Sequence, residues 1–494
     1  MPRRSAGSGA GAGAGAAHAA AGRAQKTRER ADPRLLAALV LATMAYSQLQ
    51  AMVGPAVPTL QRELHADTSE LAWMMNSFIL SAAVATPLAG RLGDMFGHRR
   101  VLLAVLGLLA AGTALCGLAT TLPTLVVGRV IAGLGGAVFP LSFAIVRDAF
   151  PSAKVAATIG LLSALTGVGG GVGIVAAGPI VTHMSYHWLF WFPLVLIVAA
   201  LAAAVAWVPR SAPGEPGPVD WIGAVLLSGT LVSLLLALTK AGQWGWGSAG
   251  VSGLLAASVV FGLCWAAAAG RSPAPLIDLG TMRLRAVWTA NAAAVLSGVT
   301  MSTSMFLLPQ LAALPESTRF GMGLSATKAG LFILPQSFTI LVAGVVGGRV
   351  GARYGSRLVL AGGTALAAGG MGMLGLWHAA VWQALVASAV VGFGVGLLQT
   401  ALANVVVAAV PPTQTAAATG ANTVARNIGM TLGAQQAATV LATGSHGIPG
   451  PTQFAVACGI AVGAGTLATA ISLLAPGRQK DTVPGRAAPV DAAS

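Results

Sequence analysis

The chain has 494 residues, of which 55% are hydrophobic and only 8% charged, and its formal net charge is +15. A soluble globule of this size needs far more charged residues for its surface, so the composition excludes an ordinary soluble protein. The apolar residues form repeated runs of about 20, the length at which a helix crosses a hydrocarbon layer. The sequence therefore predicts an all-α membrane protein that crosses the bilayer many times.

The amino-terminal segment is rich in glycine, alanine and basic residues and has no leucine-type apolar core, so it predicts a disordered cytoplasmic tail and not a signal peptide. Hydropathy then predicts about fourteen spans. Their approximate limits are 35–57, 71–90, 101–121, 124–146, 157–182, 188–208, 221–240, 251–270, 287–311, 326–347, 357–377, 381–409, 416–443 and 453–475. The predicted units are a tail (1–33), a six-helix bundle (34–208), a linker with two extra helices (209–280), a second six-helix bundle (281–476) and a second tail (477–494).

The basic residues are distributed unevenly between the two sides of the membrane. Most of the 28 lysines and arginines fall in the tails and in alternate loops, whereas the opposite side holds Arg62, Lys240, Arg319 and Lys328. Under the positive-inside rule this places both termini in the cytoplasm of a multi-pass protein of the cell membrane. The charge then faces lipid and cytosol, so we expect a membrane-lipid partner and no nucleic acid.

The loop between the second and third spans, GRLGDMFGHRR at 90–100, concentrates charge in a chain that has little. Gly90 and Gly97 allow a close backbone approach and a tight turn. A positive-inside loop explains the arginines but not Asp94. A charged latch that breaks during a conformational change explains both.

The candidate partners of Asp94 in this latch are Arg99, Arg147 and the end of a neighbouring helix. His98 titrates near neutrality, but an ordinary solvated side chain is the favoured interpretation of a loop histidine. The residues assigned to the gate are Gly90, Asp94, Gly97, His98, Arg99, Arg147 and Asp148.

This loop resembles the signature loop of the major facilitator superfamily, usually written G-x-L-x-D-R-x-G-R-R, with Met95 and His98 in place of two arginines. A weaker copy, GGRVGARYGSRL at 347–358, carries Ala352 at the aspartate position. Two copies half a transporter apart indicate a duplicated six-helix unit. Six, two and six helices resemble the fourteen-helix drug:proton antiporters of that superfamily. The resemblance implies alternating-access export of hydrophobic or amphipathic small molecules, coupled to protons; a metabolite importer or uniporter of the superfamily is the alternative.

Two further stretches carry the resemblance. GRVIAGLGGAVFP at 128–140 resembles the fourth-helix motif, and Arg129 within it should face a wet cavity or a partner, because an arginine is costly inside lipid. A packing arginine tied to backbone carbonyls is the alternative. GVGGGVGIVAAGP at 167–179 resembles the helix-packing motif of exporters, with Ile174 in place of its proline. The residues assigned to this motif are Gly167, Gly171, Gly173, Gly178 and Pro179.

The predicted interior holds cations but no acid. Leu49 stands where the resemblance would place a membrane-embedded aspartate, and none of the 13 acids falls near the middle of a predicted span. A lipophilic cation would therefore be repelled, and we expect a neutral, zwitterionic or anionic amphipathic cargo. A coupling proton would have to use Asp94, His98 or Asp148, travel with the cargo, or be absent.

Polar side chains within spans are the candidates for cargo contact, although they could instead join helices by hydrogen bonds. The predicted substrate cavity consists of Gln48, Gln50, Asn76, Arg129, Gln310, Gln336, Asn422 and Arg426. The two extra spans are predicted to lie beside the core and to line no pathway. The cysteines are scattered and no acid–base or metal-ligand cluster occurs, so we expect no enzyme activity, no cofactor and no metal. We also expect a monomer.

Overall fold

The computed structural model describes residues 32–66, 68–210, 220–272, 275–314, 321–324, 333–378, 380–443 and 450–476. The predicted tails fall almost wholly outside these residues, as does most of the linker before the first extra span. Within the described ranges every regular element is a helix, which confirms the all-α fold class. Eleven of the helices are long and apolar enough to cross a membrane.

The long helices are numbered α1 to α14 in chain order. The helices of the amino-terminal half are α1 (Pro33–Met52), α2 (Thr68–Phe96), α3 (His98–Leu118), α4 (Leu122–Gly133 and Val138–Ala149), α5 (Ser152–His183) and α6 (Trp188–Trp207). The extra helices are α7 (Trp221–Trp244) and α8 (Ala249–Arg271). The helices of the carboxyl-terminal half are α9 (Arg285–Ala313), α10 (Leu334–Tyr354), α11 (Ser356–Leu376), α12 (Val381–Ala409), α13 (Thr415–Ala442) and α14 (Pro451–Leu474).

Two helices are interrupted by short 3₁₀ segments. The first span ends at Met52, earlier than predicted, and continues as a 3₁₀ turn over Gly54–Ala56 and a short helix over Val57–Leu64. Proline within the turn supplies no backbone N–H, so the α-helical hydrogen-bond ladder stops there. The two parts of α4 are joined by a 3₁₀ turn over Leu134–Ala137.

The two halves meet along two equivalent seams, α2 with α13 and α5 with α10. In each seam the second helix of one half packs against the fifth helix of the other. Glycine brings the backbones together: a Cβ atom on Gly90 would lie 2.7 Å from the Ala416 carbonyl oxygen, and one on Gly160 would lie 2.9 Å from that of Gly344. Such contacts allow helices to associate closely in lipid.

The extra helices differ in their position. α8 exposes most of its surface, but α7 packs against the α2–α13 seam, where Leu231 and Leu235 join a buried cluster with Ala83 and Val424. α7 therefore lies beside the core, as predicted, and presents an apolar face to both halves. That the extra helices line no pathway stays a prediction.

Candidate functional site

The loop between α2 and α3 and the end of α4 form a charge cluster in which Asp94 and His98 are buried and Asp148 is exposed. Gly97 adopts a φ of 94°, a conformation that favours glycine, and the chain turns there so that α3 starts at His98. The His98 ring lies between two carboxylates: Nε2 is 3.0 Å from Asp94 Oδ1 and Nδ1 is 2.9 Å from Asp148 Oδ2. His98 and Asp94 are each 6% exposed. We call Asp94, His98 and Asp148 the latch triad.

The latch triad also reaches the other half of the protein. The second oxygen of Asp94 accepts a hydrogen bond from the Ala417 backbone N–H at 3.3 Å, in the first turn of α13. An anion is stabilised there because unpaired N–H groups and the helix dipole point toward it. Beside it, Arg147 Nη1 donates to Thr415 Oγ1 at 2.6 Å. These bonds join the two halves at the end that carries the latch triad.

These contacts show which of its predicted partners Asp94 binds. The end of a neighbouring helix is a partner, whereas Arg99 donates to the Val205 carbonyl oxygen of α6. The interpretation of His98 as a solvated side chain is wrong, because both ring nitrogens are engaged and the ring is buried. Only the imidazolium form has an N–H for each of two ionised carboxylates. The carboxylates flank the ring instead of converging, and no group of three metal-ligating side chains occurs among the described residues.

The second copy of the loop repeats the geometry without the aspartate and the histidine. Gly355 has a φ of 95°, nearly the value at Gly97, and precedes Ser356 at the first residue of α11. A Cβ atom on Gly348 would lie 3.0 Å from Ala157 Cα in the first turns of α5. Ala352 occupies the position of Asp94. One seam therefore includes ionisable side chains, whereas the other closes through uncharged backbone contact.

A narrow cavity lies between the halves. Its lining is Phe139, Phe143, Ser163, Gln399, Leu402, Ala403, Thr419, Asn422, Thr423 and Arg426. The aromatic side comes from α4 and most of the polar side from α12 and α13. Arg426 Nη1 donates to Gln399 Oε1 at 3.2 Å, and Asn422 Nδ2 donates to Asn291 Oδ1 at 3.0 Å.

Arg129 lies behind the aromatic wall and is absent from the residues that line this cavity. It is 2% exposed, and its guanidinium carbon lies 4.2 Å from the centroid of the Phe78 ring. Tyr46 stacks on Phe78 at 5.5 Å and meets Phe139 edge-on at 6.1 Å. Arg129 Nε and Nη1 have no hydrogen-bond partner among the described residues.

Comparison with known proteins agrees with this architecture. The family model of the Major Facilitator Superfamily matches residues 39–434 and again 290–494. The chain belongs to the major facilitator superfamily. The human organic anion transporter MFSD10 has the same fold, with a TM-score of 0.64 at 17% identity over 89% of this chain and 100% of that chain.

Two relatives within the superfamily align over most of their length. The tetracenomycin C resistance and export protein of Streptomyces glaucescens is 29% identical, over 83% of this chain and 76% of its own. The cephamycin export protein CmcT of Amycolatopsis lactamdurans is 31% identical, over 89% of this chain and 91% of its own. The expectation of a superfamily transporter related to antibiotic exporters is confirmed.

The other predicted cavity residues are dispersed in this superfamily fold. Asn76 lies in a second cavity, between α2, α7 and α13, together with Trp73 and Thr431. Gln336 is buried in the carboxyl-terminal half, where Ser304 Oγ donates to its Oε1 at 3.4 Å. The others differ in exposure: Gln48 is buried, Gln50 is half-buried and Gln310 is exposed.

Sequence reasoning missed several cavity residues, including Phe139, Phe143, Thr419 and Thr423. A signal for part of this set exists in α13. Positions 419, 422, 423 and 426 are all polar and recur at spacings of three and four, so they lie on one helical face.

The glycine-rich stretch of α5 contacts two neighbours. A Cβ atom on Gly167 or Gly171 would meet Ser337 of α10 within 3.0 Å, and one on Gly173 would meet the Gln48 carbonyl oxygen of α1 at 2.8 Å. Gly178 has open space beside it, and Pro179 lies exposed within the helix. The first three glycines thus pack helices, two of them across the α5–α10 seam.

Proposed function

We propose that this protein is a secondary-active exporter of hydrophobic or amphipathic small molecules, working by alternating access of its two six-helix halves. Membership of the superfamily and two relatives named for export of tetracenomycin C and of cephamycin support this. The observation that carries the mechanism is the hydrogen bond from the Ala417 N–H to Asp94, because it crosses from one half to the other at the gate.

The described conformation is closed at the end that carries the latch triad. Gly90 touches the start of α13, and the same seam continues along Thr86 and Gly420 toward the middle of the protein. Cargo from that side reaches the cavity only when α2 and α13 separate. Opening therefore breaks the contact between Asp94 and α13.

Orientation follows from the charge distribution. The positive-inside rule places the latch triad on the cytoplasmic side, with both termini on the same side. The described structure is then closed to the cytoplasm. A single chain supplies both sides of the cavity and both seams, which supports a monomer as the transporting unit.

A proton is the candidate coupling ion. Among the described residues, the latch triad joins two carboxylates to an imidazole, a side chain that can take up and release a proton. Its position at the gate would connect protonation directly to opening of the α2–α13 seam. Membrane lipid covers the outward faces of the helices.

Transport direction tests the proposal. A panel of antibiotics and amphipathic dyes is measured for accumulation in an efflux-deficient host, with and without collapse of the proton gradient, and for uptake into everted membrane vesicles. Export predicts lower accumulation in cells and uptake into the vesicles, both lost when the gradient is collapsed if protons drive it. Higher accumulation in intact cells, with no uptake by the vesicles, would indicate an importer instead.

A further inference from the structure

The interior of the protein carries two positive charges from different halves. Arg426 lines the cavity from α13, and Arg129 lies behind its aromatic wall in α4. Tyr46 stacks on Phe78 and meets Phe139 edge-on between these two sites. Among the described residues, no aspartate or glutamate lines the cavity, and neither arginine forms a salt bridge.

This arrangement leaves positive charge uncompensated. The Phe78 ring face offsets part of the charge of Arg129, but two of its buried nitrogens have no hydrogen-bond partner among the described residues. Burying a cation without an anion is costly, and the low dielectric of the interior extends its field. An anionic group that enters the cavity therefore gains energy that neither a neutral group nor a cation gains.

The two sides of the cavity also differ in polarity. Phe139 and Phe143 form an apolar wall. Facing it, the polar face of α13 presents Thr419, Asn422 and Arg426. This division matches an amphipathic molecule with one acidic end, with its body on the aromatic rings and its acid on the guanidinium group. The halves must separate to admit it, because the closed cavity of about 20 Å³ has space for about one water molecule.

We infer that the cargo of the proposed exporter bears an ionised acidic group, such as a carboxylate or phenolate, which binds Arg426 while its apolar body packs against Phe139 and Phe143. The inference rests on the proposed function for the cargo's movement, but the binding site can be tested separately. Arg129 reinforces the positive field from behind the aromatic wall without touching the cargo. A lipophilic amine is excluded because it meets two cations.

The test uses three probes with one fluorescent body: pyrenebutyrate, its methyl ester and pyrenebutylamine. Binding to the purified protein in lipid nanodiscs is measured against empty nanodiscs, and transport is measured in everted vesicles. We expect the acid to bind roughly 10- to 100-fold more tightly than the ester, the range expected for one charge-assisted hydrogen bond. Arg426→Gln should remove this preference while leaving ester binding in place, and Arg426→Lys should retain part of it. Arg349→Gln, at an exposed position of α10, is the matched control.

The possible outcomes separate the site from the function. The inference is overturned if acid and ester bind equally, if the amine binds more tightly, or if the acid does not bind. It is also overturned if Arg426→Gln loses acid binding and ester binding equally. Binding of the acid without its transport in any gradient would refute export and leave the anion site standing.

Discussion

Replacing Asp94 with asparagine should favour opening of the α2–α13 seam beside the latch triad. The carboxylate is buried and receives hydrogen bonds from the His98 ring and from the Ala417 backbone N–H. A hydrogen bond to a charged group contributes about 1.5–3 kcal/mol, and an anion at a helix N-terminus about 0.3–1 kcal/mol. The asparagine Oδ1 can still accept from Ala417 as a neutral group, and a neutral hydrogen bond contributes about 0.5–1.5 kcal/mol. Losing the charge thus removes roughly 1–2.5 kcal/mol that favours the closed gate, a shift of roughly 5- to 70-fold in the ratio of closed to open protein.

Thiol labelling measures this shift. Ala403 lines the cavity, so Ala403→Cys in a background without the native cysteines reports entry of a membrane-impermeant maleimide from the cytoplasmic side of everted vesicles. We expect faster labelling with Asp94→Asn, and slower export because the gate no longer closes for long. Asp278→Asn is the control, since Asp278 caps the short helix Leu279–Arg283 and lies outside the latch triad.

Unchanged labelling at equal membrane abundance would refute the reasoning, because it would show that the bond from Asp94 to α13 does not bias the gate. Lost abundance with normal transport per molecule would assign Asp94 a structural role instead.

Three further substitutions have defined expectations. Labelling of the cavity from the cytoplasmic side should rise with cytoplasmic pH, because deprotonated His98 has one N–H for two carboxylates. His98→Arg should abolish this pH dependence, since arginine does not lose its proton. A pH profile that is unaltered in His98→Arg would contradict the assignment of the titration to His98. Thr415→Val removes the acceptor of Arg147 and should raise labelling less than Asp94→Asn does. Gly429→Ala should lower the melting temperature in detergent, because its Cβ would clash with a backbone carbonyl of α9, whereas Gly107→Ala has open space and should not.

The sequence predicts the helical architecture well, because a long apolar run in lipid can satisfy its backbone hydrogen bonds in few structures other than a helix. The twelfth span, predicted over 381–409, coincides with α12 at Val381–Ala409. The first span was placed too long, up to residue 57, because hydropathy does not register the change from α-helix to 3₁₀ turn after Met52. The packing of α7 onto the α2–α13 seam was missed because composition shows an apolar face but not its neighbour.

The sequence predicts the site only in part, because it does not show which distant residues become neighbours. The loop motif identifies Asp94 as a charged latch residue, and its bond to His98 joins positions only four residues apart. The bond from His98 to Asp148 and the bond from Ala417 to Asp94 join positions far apart in the chain, so no local pattern predicts them. Arg129 illustrates the limit most clearly. An arginine is costly in lipid, so Arg129 must turn toward the protein interior. There it packs on the Phe78 ring behind the cavity wall and does not line the cavity, and no sequence pattern distinguishes these two positions.

The two seams between the halves meet at the same end of the protein, but different interactions hold them together. In the proposed mechanism, closure at the α2–α13 seam depends on the charge of the latch triad, so it should respond to protonation and to substitution of a single carboxylate. At the α5–α10 seam, Gly160 and Gly348 bring the backbones into uncharged contact, and the equivalent loop has Ala352 and Ser356 at the positions of Asp94 and His98. If the halves rock as rigid bodies, both seams must separate together. A change in the charge of one side chain in the first seam would then control the opening of both seams. The second seam would need no titratable group of its own.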